Sequence, residues 1–331
     1  MSAGVLKVQS VEVPMGTKKQ GYLKISEKPA GLHQVPMTVI NGAKDGPTLV
    51  VNGGEHGSEY NGPAGALRLC AELDPKKISG DVIIVPLVNT LAFEGRTMHT
   101  NPVDYRDLTN CYLPEVPKGS SGLPLISYQV AHGFYTEVLS KGDYRLNLHG
   151  GDIEEDVLLG TFYRRTGTDQ KRDDETFALA RNFGWEWMRE SLPRPGSQSS
   201  SKELPMPITV GTEAGGMGRC QHDIVDRVVN GVINAMKHLK MLEGTPNIPP
   251  KAKVFNPYHI YSSKGGFFIS HVRAGDMVSK GQLIGEIRNL FGEVAEEVRV
   301  PTDGIVHMVT TPSIYEGDVL FEIGKDIREI K

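Results

Sequence analysis

Thr48-Leu49-Val50-Val51-Asn52-Gly53-Gly54-Glu55-His56-Gly57-Ser58-Glu59 joins an apolar run to a glycine-rich loop that carries an imidazole and a carboxylate three residues apart. The apolar run reads as a buried β-strand. Beyond the loop, Leu67, Leu69 and Leu73 read as a helix. His56 and Glu59 at this spacing can close on one zinc ion, and a second strand ending in a histidine would supply a third ligand.

Working outward, apolar strands alternate with helical stretches from residue 47 to about 243. Strands are expected at 48–52, 82–88, 144–148 and 206–212, and helices at 62–74, 125–140, 172–183 and 223–241. The last helix is the clearest, with Val225, Val229, Val232, Met236 and Leu239 at helical spacing. This alternation predicts an α/β domain over 47–243, a mixed sheet flanked by helices. Residues 1–46 carry short alternating segments, such as Val35-Pro36-Met37-Thr38-Val39-Ile40, expected as strands packed on that domain. The stretch 244–254, with Gly244, Pro246, Pro249 and Pro250, reads as a linker. Residues 255–331 read as a small all-β domain. Ala274-Gly275-Asp276 and Glu316-Gly317-Asp318 begin two similar turns within it.

The net charge of −4 gives no electrostatic case for binding nucleic acid or an anionic membrane. No apolar run approaches the roughly 20 residues that span a bilayer. Met1 to Lys7 lacks the features of a signal peptide. Cys70, Cys111 and Cys220 are too scattered for a disulfide framework, and a reducing cytoplasm is the expected compartment.

Four polar groups fall where predicted strands end: His56 with Glu59, Asn89, His149 and Glu213. In an open α/β sheet, ligands bind beyond the carboxyl ends of the strands, so residues far apart in sequence can meet in one crevice. Two histidines and a glutamate leave a fourth zinc position for water. Glu213, in the turn Gly211-Thr212-Glu213-Ala214-Gly215-Gly216, suits a carboxylate that moves protons without binding the metal. Each residue alone has a bland alternative: a solvated loop pair, a buried histidine, a surface carboxylate, a turn asparagine. Glu55 and Asp152 sit beside the ligands as competitors. Glu55 ranks lower because its side chain is expected to point away from that of His56.

Asn52-Gly53-Gly54-Glu55-His56-Gly57-Ser58-Glu59, Asn147-Leu148-His149-Gly150-Gly151, Thr212-Glu213-Ala214-Gly215-Gly216 and Asn89-Thr90-Leu91-Ala92-Phe93 together resemble the succinylglutamate desuccinylase/aspartoacylase family, within the zinc carboxypeptidase-like hydrolases. The resemblance implies one zinc ion per chain on His56, Glu59 and His149, Glu213 as general base and acid, and cleavage of an amide linking an acyl group to a small amine or amino acid. Family members carry a segment resembling Asp-Leu-Asn-Arg-x-Phe-Pro-Gly, whose arginine holds a substrate carboxylate. Here Thr109 and Asn110 stand at the asparagine and arginine positions, and His99 aligns with a second family arginine. Asn110 lacks the charged fork of an arginine. Arg96, Arg106, Arg164 and Arg165 are candidates to supply that charge from a shifted position. Asn89, Arg96, His99, Arg106 and Asn110 complete the expected substrate-binding set.

The C-terminal segment resembles a biotinyl/lipoyl fold through residues 274–282 and 300–306. Its expected carrier turn, Asn289-Leu290-Phe291-Gly292-Glu293, has no lysine to modify. A structural role is expected, as a wall or lid of the site or as an oligomer contact. The expected partner is a small N-acyl substrate, with a homo-oligomer possible and neither nucleic acid nor membrane involved. A zinc carboxypeptidase and a degenerate binding protein without catalysis are the alternative functions.

Overall fold

The structure is a computed structural model and describes residues 4–119, 122–192 and 204–331. β1 (Val5–Val8) and β2 (Val11–Pro14) pair as a small hairpin. β3 (Thr17–Lys28) and β4 (Gly31–Asn41) form a long antiparallel hairpin. β5 (Lys44–Gly53) enters the middle of the main sheet, and the quoted loop leads into α1 (Asn61–Glu72). β6 (Ser79–Val85) runs parallel to β5 and antiparallel to β4. After α2 (Thr90–Gly95) and α3 (Ile126–Glu137), β7 (Tyr144–His149) pairs parallel to β5 on its other side.

β8 (Asp156–Val157), β9 (Gly160–Arg164), α4 (Gln170–Phe183), β10 (Trp187–Ser191), β11 (Ile208–Glu213) and α5 (His222–His238) follow. The remainder is β: β12 (Ala252–Tyr261), β13 (Gly266–Ser270), β14 (Met277–Val278), β15 (Leu283–Arg288), β16 (Val294–Arg299), β17 (Gly304–Val309), β18 (Ser313–Ile314) and β19 (Val319–Ile330). The main sheet runs β14-β17-β19-β12-β10-β9-β11-β7-β5-β6-β4-β3, with β8 attached to β17. A four-stranded sheet, β16-β15-β13-β18, lies beside it in the C-terminal part.

The strands alternate between two cores, as a sheet covered on both faces requires. Along β5, Leu49 and Val51 enter a core with residues of α1, α4 and α5, while Val50 enters one with α3 and the N-terminal strands. Val229, Val232 and Met236 of α5 are buried in the first of these, as their spacing predicts. A third core, containing Phe268, Ile284 and Phe321, holds the C-terminal part together.

The differences from the sequence-based expectations have local causes. The strand expected to reach residue 88 ends at Val85 because Pro86 has no N–H for the ladder. The helix expected over 125–140 ends at Glu137. α2, β8, β9 and β10 are too short to give a periodic signal. β12 begins at Ala252, inside the stretch read as a linker, and pairs parallel with β10. The C-terminal strands therefore continue the main sheet through β12, β19 and β17 rather than hanging from its end.

Register sets one row of residues across six strands: Asn52, Asn147, Gly211, Phe162, Arg189 and Phe255 are successive partners. Two residues further along β7 and β11, His149 faces Glu213. Side chains two apart share a face, so His149 and Glu213 stand on the same face as this row. Gly211 makes room in it. A side chain there would strike the ring of Phe162, which packs with its centroid 5.8 Å from that of His149.

Candidate active site

The loop after β5 is held in place by α2. Asn89 caps that helix by accepting from Ala92 N (3.2 Å), and its amide donates to the carbonyl of Glu55 (3.1 Å). Gly57 N donates to Met98 O (2.9 Å), and any Cβ at Gly57 would collide with the backbone of Ala92 and Thr97. This close approach turns His56 and Glu59 toward β7.

Both imidazoles present Nδ1 to one carboxylate. His56 Nδ1 lies 2.5 Å from Glu59 Oε1, and His149 Nδ1 lies 3.1 Å from Glu59 Oε2. The donor atoms of the three residues fall within 4.8 Å of one another. Each imidazole has a carboxylate behind its other nitrogen. Glu55 Oε2 is 3.3 Å from His149 Nε2, and Asp107 Oδ1 is 3.6 Å from His56 Nε2, an ion-pair rather than a hydrogen-bond distance. A carboxylate behind a histidine orients the ring and raises its basicity as a metal ligand. Two nitrogens and one carboxylate oxygen so arranged form a donor set that fits zinc.

Charge balance agrees with this. Burial disfavours the imidazolium of His149, yet Glu59 and Glu55 outweigh it and hold the group up to about 10. Burial likewise disfavours the charged form of His56, and Glu59 with Asp107 raises it well above the ordinary imidazole value. Burial opposes the charge on Glu59, but the two histidines keep it ionised. A second group, His56, His99 and Asp152, also lies within 4.8 Å. It shares His56, whose Nδ1 already faces Glu59. Asp152 is fully buried, receives Ser58 Oγ at 2.5 Å and stands 2.9 Å from His99 Nε2.

Glu213 closes β11 beside His149. Burial pushes its carboxyl up to about 8, Glu59 and Glu155 adding to the shift while His149 and Arg189 oppose it. Glu55, ranked lower from the sequence as a ligand, stands behind His149 and outside the converging donor set. It is buried beneath it, where it accepts from Tyr112 Oη (2.5 Å), Arg145 Nη2 (2.8 Å) and Asn147 Nδ2 (2.8 Å). Arg145 also donates to Asn52 Oδ1 (2.8 Å), closing a polar network under His149.

These groups line a cavity of about 620 Å³ that includes His99, Glu155, Phe162, Arg164, Arg189 and Glu213. His307, Met308 and Glu322 close it from the C-terminal strands, which form part of its wall. The remaining expected substrate contacts lie elsewhere. Asn89 is buried in its capping role. Arg96 is the exposed cap of α2, in a left-handed conformation. Arg106 stacks over Tyr128. Asn110 donates its amide to Asp107 (2.9 Å). None of these four lines the cavity. Arg165 pairs instead with Asp173 and Glu190, whereas Arg164 is on the cavity wall.

Sequence reasoning missed Arg145, Tyr112, Arg189, His307 and Glu322. Arg145 carried one signal, a lone charge inside the buried run Tyr144-Arg145-Leu146-Asn147-Leu148. Arg189 and Glu322 carried none. Glu322 on β19 accepts from Arg189 on β10 at 2.6 and 2.8 Å, with His259 Nε2 at 2.9 Å and His307 Nδ1 at 2.8 Å. Burial opposes this charge, but the two histidines and Arg189 hold the carboxyl well below the ordinary value of 4.5. A depressed carboxyl contributes stability that is present above 4.5 and is lost as pH falls through the folded value. Glu322→Gln is expected to destabilise the fold by about 3 kcal/mol at pH 7, with the gap to wild type narrowing as pH falls below 4.5. Urea unfolding across pH measures this, and a gap that stays constant would remove Glu322 from the acid response.

The model of the succinylglutamate desuccinylase/aspartoacylase catalytic domain matches residues 45–239. The N-alpha-acetyl-L-2,4-diaminobutyric acid deacetylase of Halomonas elongata is 26% identical, the match covering 94% of this chain and 93% of that protein. A solved succinylglutamate desuccinylase/aspartoacylase from Rhodobacter sphaeroides superposes with a TM-score of 0.78 at 25% identity, over 92% of this chain and 95% of that one. The product-bound ectoine utilization protein of Ruegeria pomeroyi shares the fold with a TM-score of 0.81 at 24% identity, over 94% of this chain and 97% of that one. None of the described helices is long and apolar enough to cross a membrane.

Proposed function

The chain belongs to the succinylglutamate desuccinylase/aspartoacylase family, and from that premise we propose that it is a zinc-dependent deacylase that hydrolyses the amide of a small N-acyl amine or amino-acid derivative. The observation that carries this is the convergence of two imidazole Nδ1 atoms on the Glu59 carboxylate, with Glu213 facing His149 across the strand pair. His56, Glu59 and His149 would hold one zinc ion per chain. When bound there, zinc lowers the pKa of water and polarises an amide carbonyl. Glu55 and Asp107 keep the two imidazoles turned toward that position. Glu213 takes a proton from the attacking water and returns it to the departing nitrogen. Burial raises that carboxyl above its ordinary value, so the carboxylate is a stronger base than one in water.

The deacetylase of Halomonas elongata acts on an N-acetyl diamino acid, which points this chain toward N-acyl amino-acid derivatives of similar size. The test is a panel of N-acetyl, N-succinyl and N-formyl amines and amino acids. Each is assayed on protein stripped of metal by a chelator and again after stoichiometric zinc is returned. Hydrolysis of at least one class is expected, lost on chelation and restored by zinc. Turnover that persists after complete metal removal would overturn the zinc assignment. A protein that takes up zinc but cleaves none of the panel would overturn the deacylase assignment.

A further inference from the structure

Next to the three converging ligands stands a second donor set that the deacylase mechanism does not use. Asp152, in the loop after β7, is fully buried. Its Oδ1 receives Ser58 Oγ (2.5 Å), and that hydroxyl in turn accepts from Ile153 N (3.2 Å), which fixes the carboxylate. Its Oδ2 is enclosed and makes no aligned hydrogen bond with any described residue, although His99 Nε2 is only 2.9 Å away. His56 Nε2 is also enclosed and without a hydrogen bond among the described residues, with Asp107 standing off at 3.6 Å. Donor atoms of His56, His99 and Asp152 lie within 4.8 Å of one another. The two rings meet edge to face, their centroids 4.6 Å apart.

Buried polar atoms are almost always paired, so two orphans in one place call for a partner. Donors this close that do not align on one another are disposed as ligands around a shared centre. Two imidazoles and a carboxylate suit zinc and similar divalent transition ions rather than magnesium or calcium. Ser58 supplies the outer hydrogen bond that a ligating carboxylate usually has. The His99 side chain is 39% exposed, which gives an ion a way in. Glu154 and Glu155 add negative charge around His99, which favours a cation. The family pattern has an arginine where His99 stands, and an arginine, always charged, cannot ligate a metal. The set is therefore a property of this chain's own residues. We infer that His56, His99 and Asp152 form a second cation site, bridged by His56 to the zinc position proposed above. Nδ1 of that ring serves the first ion and Nε2 the second, the Nε2 proton passing to solvent. Two cations across one ring repel each other, so the second binds less tightly. The bridge rests on the zinc assignment made above.

The experiment titrates the metal-stripped full chain with zinc alone, in competition with a chromophoric chelator. Wild type is expected to take up two equivalents, one tight and one weaker. His99→Gln and His99→Arg should keep the tight equivalent and weaken the second by more than about 100-fold, since losing a ligand exceeds the loss of an outer-shell partner. Asp152→Asn should do the same. Asp152 is buried and its variant can fail to fold, whereas His99 is partly exposed, so the His99 pair carries the test. His149→Ala should lose the tight equivalent. A wild type that binds one equivalent, lost in His149→Ala and untouched in the His99 variants, sinks the second site and leaves the zinc assignment standing. Two equivalents that both survive in the His99 variants sink it as well. A single equivalent lost in the His99 variants and kept in His149→Ala overturns the zinc assignment instead. A wild type that binds no zinc overturns both.

Discussion

Glu213→Gln is expected to lower kcat by about 1,000-fold, the scale of losing a positioned general acid–base, while zinc content stays at wild type. Glutamine keeps the shape of the side chain and removes the group that accepts and returns the proton. Glu213 is not one of the three residues whose donors converge, so its loss leaves that set intact. A second readout comes from stability in the metal-free protein. Burial raises the folded carboxyl to about 8 from an ordinary 4.5. Ionising it costs more in the folded state than in the unfolded one, so stability is full below 4.5 and is lost as pH rises through about 8. Glu213→Gln cannot ionise and should flatten that decline, with thermal unfolding between pH 5 and pH 9 as the measure. A variant that keeps turnover removes Glu213 from the mechanism.

His149→Ala is expected to lose both metal and turnover. Removing an outer-shell partner typically costs about 10- to 100-fold in metal affinity, and losing a ligand should exceed that. His149 also balances Glu59 and Glu55, both buried. Without it the metal-free fold should weaken by about 3 kcal/mol, as expected when a buried charge loses its partner. In wild type the proton on His149, held up to about 10, must leave before the ring can bind a cation. Zinc uptake should therefore release protons and weaken as pH falls. Elemental analysis, calorimetry in buffers of different ionisation enthalpy and an activity assay check these points together. A His149→Ala protein that retains zinc and full turnover would remove this residue from the ligand set.

Much of the fold was legible in the chain because its signals are local. Alternating apolar runs marked β5, β6, β7 and β11, and the helical spacing of Val229, Val232 and Met236 marked α5. His56, Glu59, His149 and Glu213 were visible because each follows or closes such a strand. Short elements were not legible: β9 has five residues and α2 has six, too few for a period to show. The linker expected over 244–254 was misplaced at its end because proline and glycine mark a break without saying where pairing resumes. Four of the expected substrate residues are absent from the cavity because their side chains answer nearby needs: Asn89 caps a helix, Arg96 ends it, Arg106 stacks on Tyr128, and Asn110 pairs with Asp107.

By itself the sequence determined the order of strand, loop and helix and the donor types at the strand ends. Both follow from the intrinsic geometry of residues close along the chain. Only the tertiary structure decided which charges neutralise one another. Glu55 meets Arg145 across 90 residues, and Arg189 meets Glu322 across 133. Those pairings depend on sheet register, where a shift of one residue turns a side chain to the opposite face. The same register sets His149 opposite Glu213 at the strand ends beside the cavity.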